Sequence, residues 1–168
     1  MSATKVTFPR LMAQLDYSML VVTASAPGGN GHRELAGCLV GFASQVSIRP
    51  ARFMVCISVK NHTFPVALRS PVLIVHFVPA EAEQLAELFG GETGDEVDKF
   101  ERCDWRPGPE GVPAICELEN WFAGRVIDRI PFGDHQGFVL EPLECHGGSG
   151  SASFTFRRAK AIEPGHDP

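Results

Sequence analysis

The chain has 168 residues, of which 44% are hydrophobic, and its formal net charge at pH 7 is −5. This length suits a domain with a substantial core, and we expect one domain over residues 1–158 followed by a flexible C-terminal tail, 159–168. The negative charge argues against a nucleic-acid partner, which needs clustered Lys and Arg. No apolar run approaches the roughly 20 residues that span a bilayer, so no membrane partner is expected either.

Cysteine usage and the first residues indicate the compartment. The five cysteines are odd in number and widely spaced, and the amino terminus lacks the continuous apolar core of a signal peptide. Both features are typical of a cytoplasmic protein with reduced thiols. Cys38 and Cys56 lie in apolar runs, so we expect small core residues there. Cys145 and His146 are adjacent but isolated from other ligand pairs, and no metal site is predicted.

Short strands separated by turn residues dominate the pattern. Their enrichment in Val, Ile and Phe predicts a mainly β fold, and eight such strands favour a barrel or a sandwich. Segment 27–31 contains three glycines and Asn30, which accept positive φ, and is expected to join the first two strands as a hairpin. The predicted strands are residues 19–25, 34–40, 45–48, 53–59, 72–78, 122–128, 138–143 and 153–157.

A few packing helices interrupt the strands. Apolar residues recur at helical spacing over residues 7–17 and 80–89, and the second helix is expected to stop at Gly90. Thr93 begins a capping-box pattern that predicts a third, shorter helix. Residues 106–113 contain two glycines and three prolines, so an irregular connection is expected there.

A polar segment follows the predicted strand 53–59 and opens a predicted helix. Backbone N–H groups and the positive end of a helix dipole favour an anion at such a turn, so the segment predicts a phosphate site. Thr63 is expected to cap the helix, with Pro65 in its first turn. An ordinary helix cap at the end of a strand is the alternative. The side-chain donors of the segment are Lys60, Asn61, His62 and Thr63.

The segment 37–50 combines glycines with polar groups beside an apolar surface. Gly37 and Gly41 allow close approach of the backbone, and a planar heteroaromatic ligand needs that mixture. The alternative is a β-bulge followed by a strand whose polar residues face water. The side chains concerned are Phe42, Ser44, Gln45 and Ser47.

A turn is predicted at Gly133, Asp134 and His135, before the strand 138–143. A lone histidine in a turn is usually just exposed, and an active-site histidine is the alternative. Asp134 is expected either to fix the tautomer of His135 or to bond its own backbone.

Taken in this order and spacing, the three segments and the helical section 85–100 resemble the flavin reductase-like, FMN-binding split-barrel family, over about residues 5–145. The resemblance implies a split β-barrel of Greek-key type and a homodimer with flavin sites near the subunit interface. It implies that His135 lies where flavin and nicotinamide meet. The residues implied along the isoalloxazine and ribityl chain are Leu39, Val40, Gly41, Phe42, Ala43, Ser44, Gln45 and Ser47. Those implied to hold the phosphate are Lys60, Asn61, His62 and Thr63.

The chain departs from the family pattern in two places. Many members have Thr and a Ser pair where this chain has Leu39, Gly41 and Phe42, so direct hydroxyl contacts to the flavin are not expected there. Members often carry Pro-Pro where this chain has Pro50 and Ala51, so the following loop is expected to bend differently.

The resemblance implies an NAD(P)H-dependent flavin reductase that uses FMN, with FAD as an alternative. The flavin supplies the hydride chemistry, which is consistent with a chain that needs no catalytic triad. His135 is the expected catalytic residue, orienting the nicotinamide or polarising its amide. Reduced flavin would pass to a partner oxygenase or hand on electrons. No Gly-x-Gly-x-x-Gly unit is present to distinguish NADH from NADPH.

Two other functions fit the same sequence. One is a flavin-binding electron carrier or sensor without reductase turnover. The other is a split-barrel module that binds haem or a deazaflavin, or that serves only as a dimeric interaction domain. His62 or His76 would then be a haem ligand, although His76 lies in an apolar strand and is more typical of a core histidine.

Overall fold

The computed structural model describes residues 4–148 and 150–165. Within these residues, seven strands form one antiparallel sheet in the order β2-β1-β5-β8-β9-β4-β3, and β6 pairs with β7. The strands are β1 Leu20–Pro27, β2 Arg33–Val40, β3 Ala43–Ser47, β4 Arg52–Ser58, β5 Val72–Phe77, β6 Trp105–Pro107, β7 Pro113–Ile115, β8 Trp121–Pro131 and β9 His135–His146. The helices are α1 Phe8–Met12, α2 Thr63–Arg69, α3 Glu83–Gly91 and α4 Phe156–Ala159.

The large sheet curls around a single core. Residues of β1, β2, β4, β5, β8 and β9 all contribute to one buried cluster, and Val66 and Ala67 of α2 join it from one end. In a flat sheet β2 and β4 would be separated by four strands, yet the two strands are in contact. The sheet therefore closes on itself as a barrel with a gap between β2 and β3, which confirms the predicted split-barrel class.

Seven of the eight predicted strands are confirmed with small shifts of their ends, and so is the hairpin at 27–31. That hairpin places Asn30 at φ 56° and Gly31 at φ 77°, the positive values that these residues tolerate. The irregular connection predicted at 106–113 is confirmed for residues 108–112 and wrong at its ends. Its ends pair as β6 and β7, closed by a 2.8 Å hydrogen bond from the Gly108 N–H to the Val112 carbonyl. Burial of Val112 against the outer face of β5 and β8 stabilises this short hairpin.

The strand predicted at 153–157 is wrong. Only isolated bridges form there, from Ser153 to Pro79 and from Thr155 to Ser18, and α4 begins at Phe156. The apolar residues that predicted a strand pack against other elements instead. Phe154 is fully buried in the cluster beneath α3.

We expect Phe154→Leu to lower the free energy of unfolding by about 1 kcal/mol, since the smaller side chain fills the site incompletely. Chemical denaturation measures the change. The matched control is Phe8→Leu, because Phe8 is 72% exposed and its replacement should change stability by less than about 0.5 kcal/mol. Equal effects of the two substitutions would contradict the packing role of Phe154.

The helices differ from their predictions at the ends. The helix predicted over 80–89 runs as α3 through both glycines, because Gly90 packs so closely on Leu39 that a Cβ would lie 2.8 Å from it. The helix expected after Thr93 is a turn, followed by a single 3₁₀ turn that Asp98 caps at the Phe100 N–H. The helix expected over 7–17 is shortened to α1. No helix in the described residues is long and apolar enough to cross a membrane.

Part of the predicted tail contacts the barrel. Ile162 packs on the cluster beneath α3, and the Gly165 N–H donates to the Gly90 carbonyl at 3.2 Å. Residues 166–168 of the tail lie outside the described residues. The flexibility of the segment stays a prediction.

His76 is a core histidine with both ring nitrogens bonded. Its Nδ1 lies 3.1 Å from the Val21 carbonyl oxygen, and its Nε2 accepts the Ile115 N–H at 3.0 Å. This arrangement selects the neutral tautomer with its proton on Nδ1. Burial lowers the pKa of His76 from 6.5 to about 4. Neither nitrogen is left to bind haem iron, so the expectation of a satisfied core histidine is confirmed.

The lowered pKa of His76 predicts acid sensitivity. The folded state keeps its full stability above pH 6.5, where His76 is neutral in both the folded and the unfolded chain. It loses stability as the pH falls towards 4, because only the unfolded chain then binds the proton. The free energy of unfolding is expected to drop by about 2 kcal/mol between pH 7.5 and 5 through this residue. Urea denaturation at both pH values tests this, with His76→Gln as the variant that cannot titrate. A drop of the same size in both proteins would contradict the assignment.

Candidate functional site

Pairing of β4 with β9 brings two of the predicted segments together. Ser58, at the end of β4, pairs with His135, at the start of β9. The Val59 N–H also donates to the Asp134 carbonyl at 2.9 Å. The turn histidine therefore lies beside the start of the polar segment 60–63, although about 75 residues separate the two in sequence.

The third predicted segment, residues 37–50, reaches the same region at Phe42, just before β3. The Phe42 carbonyl accepts the Cys56 N–H at 2.8 Å, which seats Phe42 beside β4. Its ring lies 5.1 Å from the His135 ring, centroid to centroid, at an angle of 51°. Phe42 is 56% exposed. All three sequence segments thus meet on the outer face of β3, β4 and β9.

Cys56 belongs to this outer face, so its predicted place in the core is wrong. Val55 and Ile57 point into the barrel, and the side chain between them must point outward because successive residues of a strand alternate. Cys56 is half-buried, and burial raises the pKa of its thiol. Cys38 is buried in the barrel as predicted. Each of the five cysteines, all within the described residues, is a free thiol.

Most side chains of residues 39–43 point away from the outer face. Val40 is buried in the barrel, Leu39 packs under α3, and Ala43 packs against the barrel core. Gly41 lies so close to Tyr17 that a Cβ would be 2.8 Å from its ring. Apart from Phe42, these residues can meet a ligand only through main-chain groups, as the departures from the family pattern led us to expect.

The polar residues of β3 stay near the surface. Ser44 and Gln45 are exposed, and Ser47 is half-buried. The Ser44 hydroxyl donates to the Gln45 carbonyl at 3.1 Å, and the Gln45 amide donates to the Ser47 carbonyl at 3.3 Å. These bonds join near neighbours on an exposed edge strand, where a ligand can replace them.

The segment 60–63 is organised by its asparagine. Asn61 Oδ1 accepts the Thr63 N–H at 2.8 Å, and His62 occupies the N-cap position of α2. The prediction that Thr63 caps the helix is therefore wrong. Thr63 is only 1% exposed, and its side chain partly offsets the rise that burial causes in the pKa of the Cys38 thiol. Lys60, Asn61 and His62 present the polar surface, and Thr63 supports it from below.

His135 is held by the aspartate before it. The two side chains meet at 2.8 Å between His135 Nδ1 and Asp134 Oδ1. The hydrogen bond from His135 lowers the pKa of Asp134, and the charge of Lys60 lowers it further. An ionised Asp134 keeps the proton on Nδ1, so Nε2 is the nitrogen that remains to face a ligand. The structure shows both roles considered for Asp134, because its carboxylate bonds His135 and also its own backbone.

A second loop contributes residues that the sequence did not assign. His62 Nδ1 lies 2.8 Å from Asp95 Oδ1, and this bond lowers the pKa of Asp95. Gly94 rests on the His62 ring, where a Cβ would lie 2.4 Å from Cδ2. Lys99, 6% exposed, donates to the carbonyls of Gly37 and Phe89, both at 3.2 Å. Gly94 was a local signal in the sequence, whereas the burial of Lys99 is visible in the fold alone.

The described residues contain no group of three or more His, Cys, Asp or Glu side chains arranged to hold a metal ion. His146, the weak metal candidate of the sequence, stacks on Trp121 with ring centroids 4.1 Å apart and bonds Glu144.

Comparison with known proteins places the chain in a family. A sequence profile described as the flavin reductase like domain matches residues 12–162. The FMN reductase (NADH) RutF of Klebsiella pneumoniae (strain 342) is 28% identical over 144 residues, which cover 86% of this chain and 81% of that protein.

Two solved structures share the fold. The NADH:FAD oxidoreductase SgcE6 of Streptomyces globisporus C-1027, in complex with NAD and FAD fragments, has a TM-score of 0.74 at 19% identity, over 97% of this chain and 94% of that chain. A nitrilotriacetate monooxygenase component B homologue of Mycobacterium thermoresistibile has a TM-score of 0.77 at 19% identity, over 90% of this chain and 82% of that chain. Because the family profile spans nearly the whole sequence, the chain belongs to the flavin reductase like domain family.

Proposed function

We propose that this protein is a flavin reductase that transfers hydride from NADH to FMN. The observation that carries the proposal is the convergence of Phe42, the segment 60–63 and His135 on one outer face. These are the three segments at which the sequence resembles the family, and the barrel brings them within reach of one ligand. The Klebsiella pneumoniae relative, named an NADH-dependent FMN reductase, supports FMN and NADH as the nucleotides.

The chemistry of the donors fits FMN. Lys60 supplies a cation for the phosphate, and Asn61 and His62 supply hydrogen-bond donors beside it. The exposed β3 edge gives a planar ring access to main-chain groups. When bound, the flavin supplies the hydride-accepting chemistry, and the chain supplies binding, orientation and exclusion of water.

His135 is the proposed catalytic residue. Asp134 holds its Nδ1, so Nε2 can bond the carboxamide of a nicotinamide and orient it. The Phe42 ring adjoins the imidazole and offers an apolar face against which a planar ring can stack. Together these two side chains would place the nicotinamide over the flavin.

A homodimer is the assembly that we propose. Phe42, Val46 and Ile48, which lie on β3 or flank it, are 56%, 49% and 76% exposed, and β3 is an edge strand of the large sheet. An apolar edge of this kind is usually covered by another chain. Sedimentation equilibrium would support the dimer by giving twice the mass of one chain, and the mass of a single chain would contradict it.

We also propose a cytoplasmic location, where NADH and reduced thiols are found, and a partner oxygenase that consumes the reduced flavin. The likeness in fold to a monooxygenase component B homologue is the reason for considering such a partner. Cell fractionation tests the location. Oxygenase turnover that depends on this protein tests the partner.

An anaerobic titration tests the proposed function directly. FMN is titrated into the protein by fluorescence quenching, and NADH or NADPH is then added while the flavin absorbance is followed. Bleaching at a catalytic rate with NADH, and more slowly with NADPH, is the expected result. Tight FMN binding without bleaching would identify a carrier or sensor instead, and no FMN binding would refute the proposed FMN reductase.

A further inference from the structure

The histidine of the proposed phosphate site is held by an aspartate from a distant part of the chain. Asp95 Oδ1 lies 2.8 Å from His62 Nδ1, across 33 residues of sequence. The other carboxylate oxygen, Oδ2, accepts the Thr93 hydroxyl at 3.1 Å, and Thr93 Oγ1 accepts the Asp95 N–H at 3.3 Å. Both oxygens of Asp95 therefore have partners, and one of them is fixed on the imidazole.

The same loop determines where the imidazole ring lies. A Cβ at Gly94 would be 2.4 Å from His62 Cδ2 and 3.2 Å from Nε2, so the loop backbone rests directly on the ring. The His62 side chain is 28% exposed and that of Asp95 is 70% exposed. An ion pair this exposed contributes little to stability through its charge. We therefore look for its effect in the position and the protonation of the ring.

The bond to Asp95 decides which nitrogen of His62 carries a hydrogen. The hydrogen bonds from His62 and from Thr93 lower the pKa of Asp95, so its carboxylate is ionised at neutral pH and can only accept. Nδ1 must then carry the hydrogen, and Nε2 of the neutral ring has a lone pair instead. Nε2 is the nitrogen available to a ligand, and in this form it cannot donate to a phosphate oxygen.

A bound flavin phosphate makes this arrangement unfavourable. Above pH 7 the phosphate is mostly a dianion with acceptor oxygens only, because the second pKa of a phosphate monoester is about 6. A neutral imidazole between this dianion and Asp95 would point its lone pair at the phosphate. A protonated imidazole instead donates from both nitrogens, to Asp95 on one side and to the phosphate on the other, and such charge-assisted bonds are the stronger ones.

We propose that FMN binding takes up a proton at His62, and that Asp95 is the positioning residue that requires this uptake. The proton comes from the solvent and lies between Nε2 and the flavin phosphate. The inference rests on the proposed function, because it starts from a phosphate bound at residues 60–63. It deepens that function by making the affinity for FMN depend on pH, whereas riboflavin, which lacks the phosphate, has no such dependence.

Other charged groups surround His62 and bear on this pH dependence. Arginine and carboxylate side chains do not titrate between about pH 7 and 9. Burial lowers the pKa of Lys99, so this lysine can add a pH dependence of its own. Variants at position 95 leave Lys99 in place, which separates the two contributions. The groups concerned are Lys60 in the same segment, Arg33 on β2, Lys99, and Asp95, Glu96 and Asp98 in the loop.

Titration calorimetry of FMN into the full-length protein at pH 8 tests the inference. Two buffers of different ionisation enthalpy give the number of protons that binding takes up. We expect wild type to take up about one proton per FMN, and its Kd to rise by up to about tenfold per pH unit towards pH 9. Riboflavin is the ligand control, and its binding should take up no proton.

Asp95→Asn is the variant that separates positioning from structure. An asparagine amide can donate to Nδ1, which leaves the neutral ring with its hydrogen on Nε2, so the phosphate is bound without a proton. We expect proton uptake to be lost and FMN affinity at pH 7 to fall roughly tenfold, since a charge-assisted bond becomes a neutral one. The difference from wild type should narrow as the pH rises, and riboflavin affinity should stay the same.

The matched control is Glu144→Gln. Glu144 also bonds a histidine, His146, at 2.9 Å, and neither residue belongs to the proposed site. This substitution makes the same change from carboxylate to amide and should alter neither proton uptake nor FMN affinity. His62→Gln is a second variant should Asp95→Asn disturb folding, because a glutamine amide can donate to the phosphate but cannot titrate. It should also bind FMN without proton uptake.

The outcomes distinguish this inference from the proposed function. Proton uptake that persists in His62→Gln would assign it to another group, such as Lys99, and overturn the inference. Uptake that is lost in His62→Gln but persists in Asp95→Asn would overturn the positioning role of Asp95. Wild-type protein that binds FMN with no proton uptake would overturn the coupling and leave the flavin reductase standing. Wild-type protein that binds no flavin would overturn both.

Discussion

The double substitution Lys60→Ala with Asn61→Ala is expected to weaken FMN binding by at least about 100-fold. Each side chain offers the phosphate a charge-assisted hydrogen bond, and such bonds contribute about 1.5 to 3 kcal/mol each. Their sum of about 3 kcal/mol or more corresponds to two orders of magnitude in Kd. Asn61 adds an indirect effect, because its Oδ1 accepts the Thr63 N–H and so shapes the loop.

Fluorescence titration of FMN measures this change, and circular dichroism establishes that the variant is folded. The control is Lys160→Ala, since Lys160 is an exposed lysine whose ammonium donates to the Ala13 carbonyl. Raised salt should weaken FMN binding to wild type more than to the double variant, because the variant has lost the cation. Unchanged affinity in a folded double variant would move the phosphate site elsewhere.

His135→Ala is expected to lower kcat/KM for NADH by roughly 100-fold while FMN affinity changes by less than about threefold. The variant loses the group that orients the nicotinamide, and with it a hydrogen bond worth about 2 to 3 kcal/mol in a water-excluded site. Stopped-flow reduction of bound FMN separates this step from flavin binding.

A matched control for this variant lies at the other end of the same strand. His146 ends β9 and bonds a carboxylate, Glu144, at 2.9 Å, much as His135 bonds Asp134. His146→Ala should leave kcat/KM unchanged. If His135→Ala reduced flavin as fast as wild type, the histidine would have no part in nicotinamide binding, and the catalytic role would pass to another residue.

Local patterns in the sequence predicted the parts of this protein that depend on neighbouring residues alone. The seven confirmed strands of the barrel are apolar runs bounded by turn residues, and the hairpin at Asn30 has the residues that positive φ requires. The three candidate segments were also visible, since a polar turn after a strand and a glycine-rich strand entry are local features. Their family resemblance is confirmed by the profile match over residues 12–162.

Tertiary packing decided the features for which local pattern was misleading. The segment 106–113 looked irregular, but burial of Val112 holds it as a hairpin, and Phe154 is held by the cluster beneath α3 rather than by a strand ladder. Cys56 lay in an apolar run, and only the alternation along β4 shows that it faces outward.

The sequence identified the residues of the candidate site, but it did not show that they lie close together. His135 meets Phe42 and the segment 60–63 because β9 pairs with β4 and the sheet curls, and pairing between distant strands leaves no local signature. For the same reason Asp95 and the buried Lys99 could not be assigned beforehand, since their partners His62 and Gly37 lie 33 and 62 residues away. The sequence alone determined which chemical groups are available, and the closed barrel decided which of them share a site, because contact depends on strand pairing and burial rather than on distance along the chain.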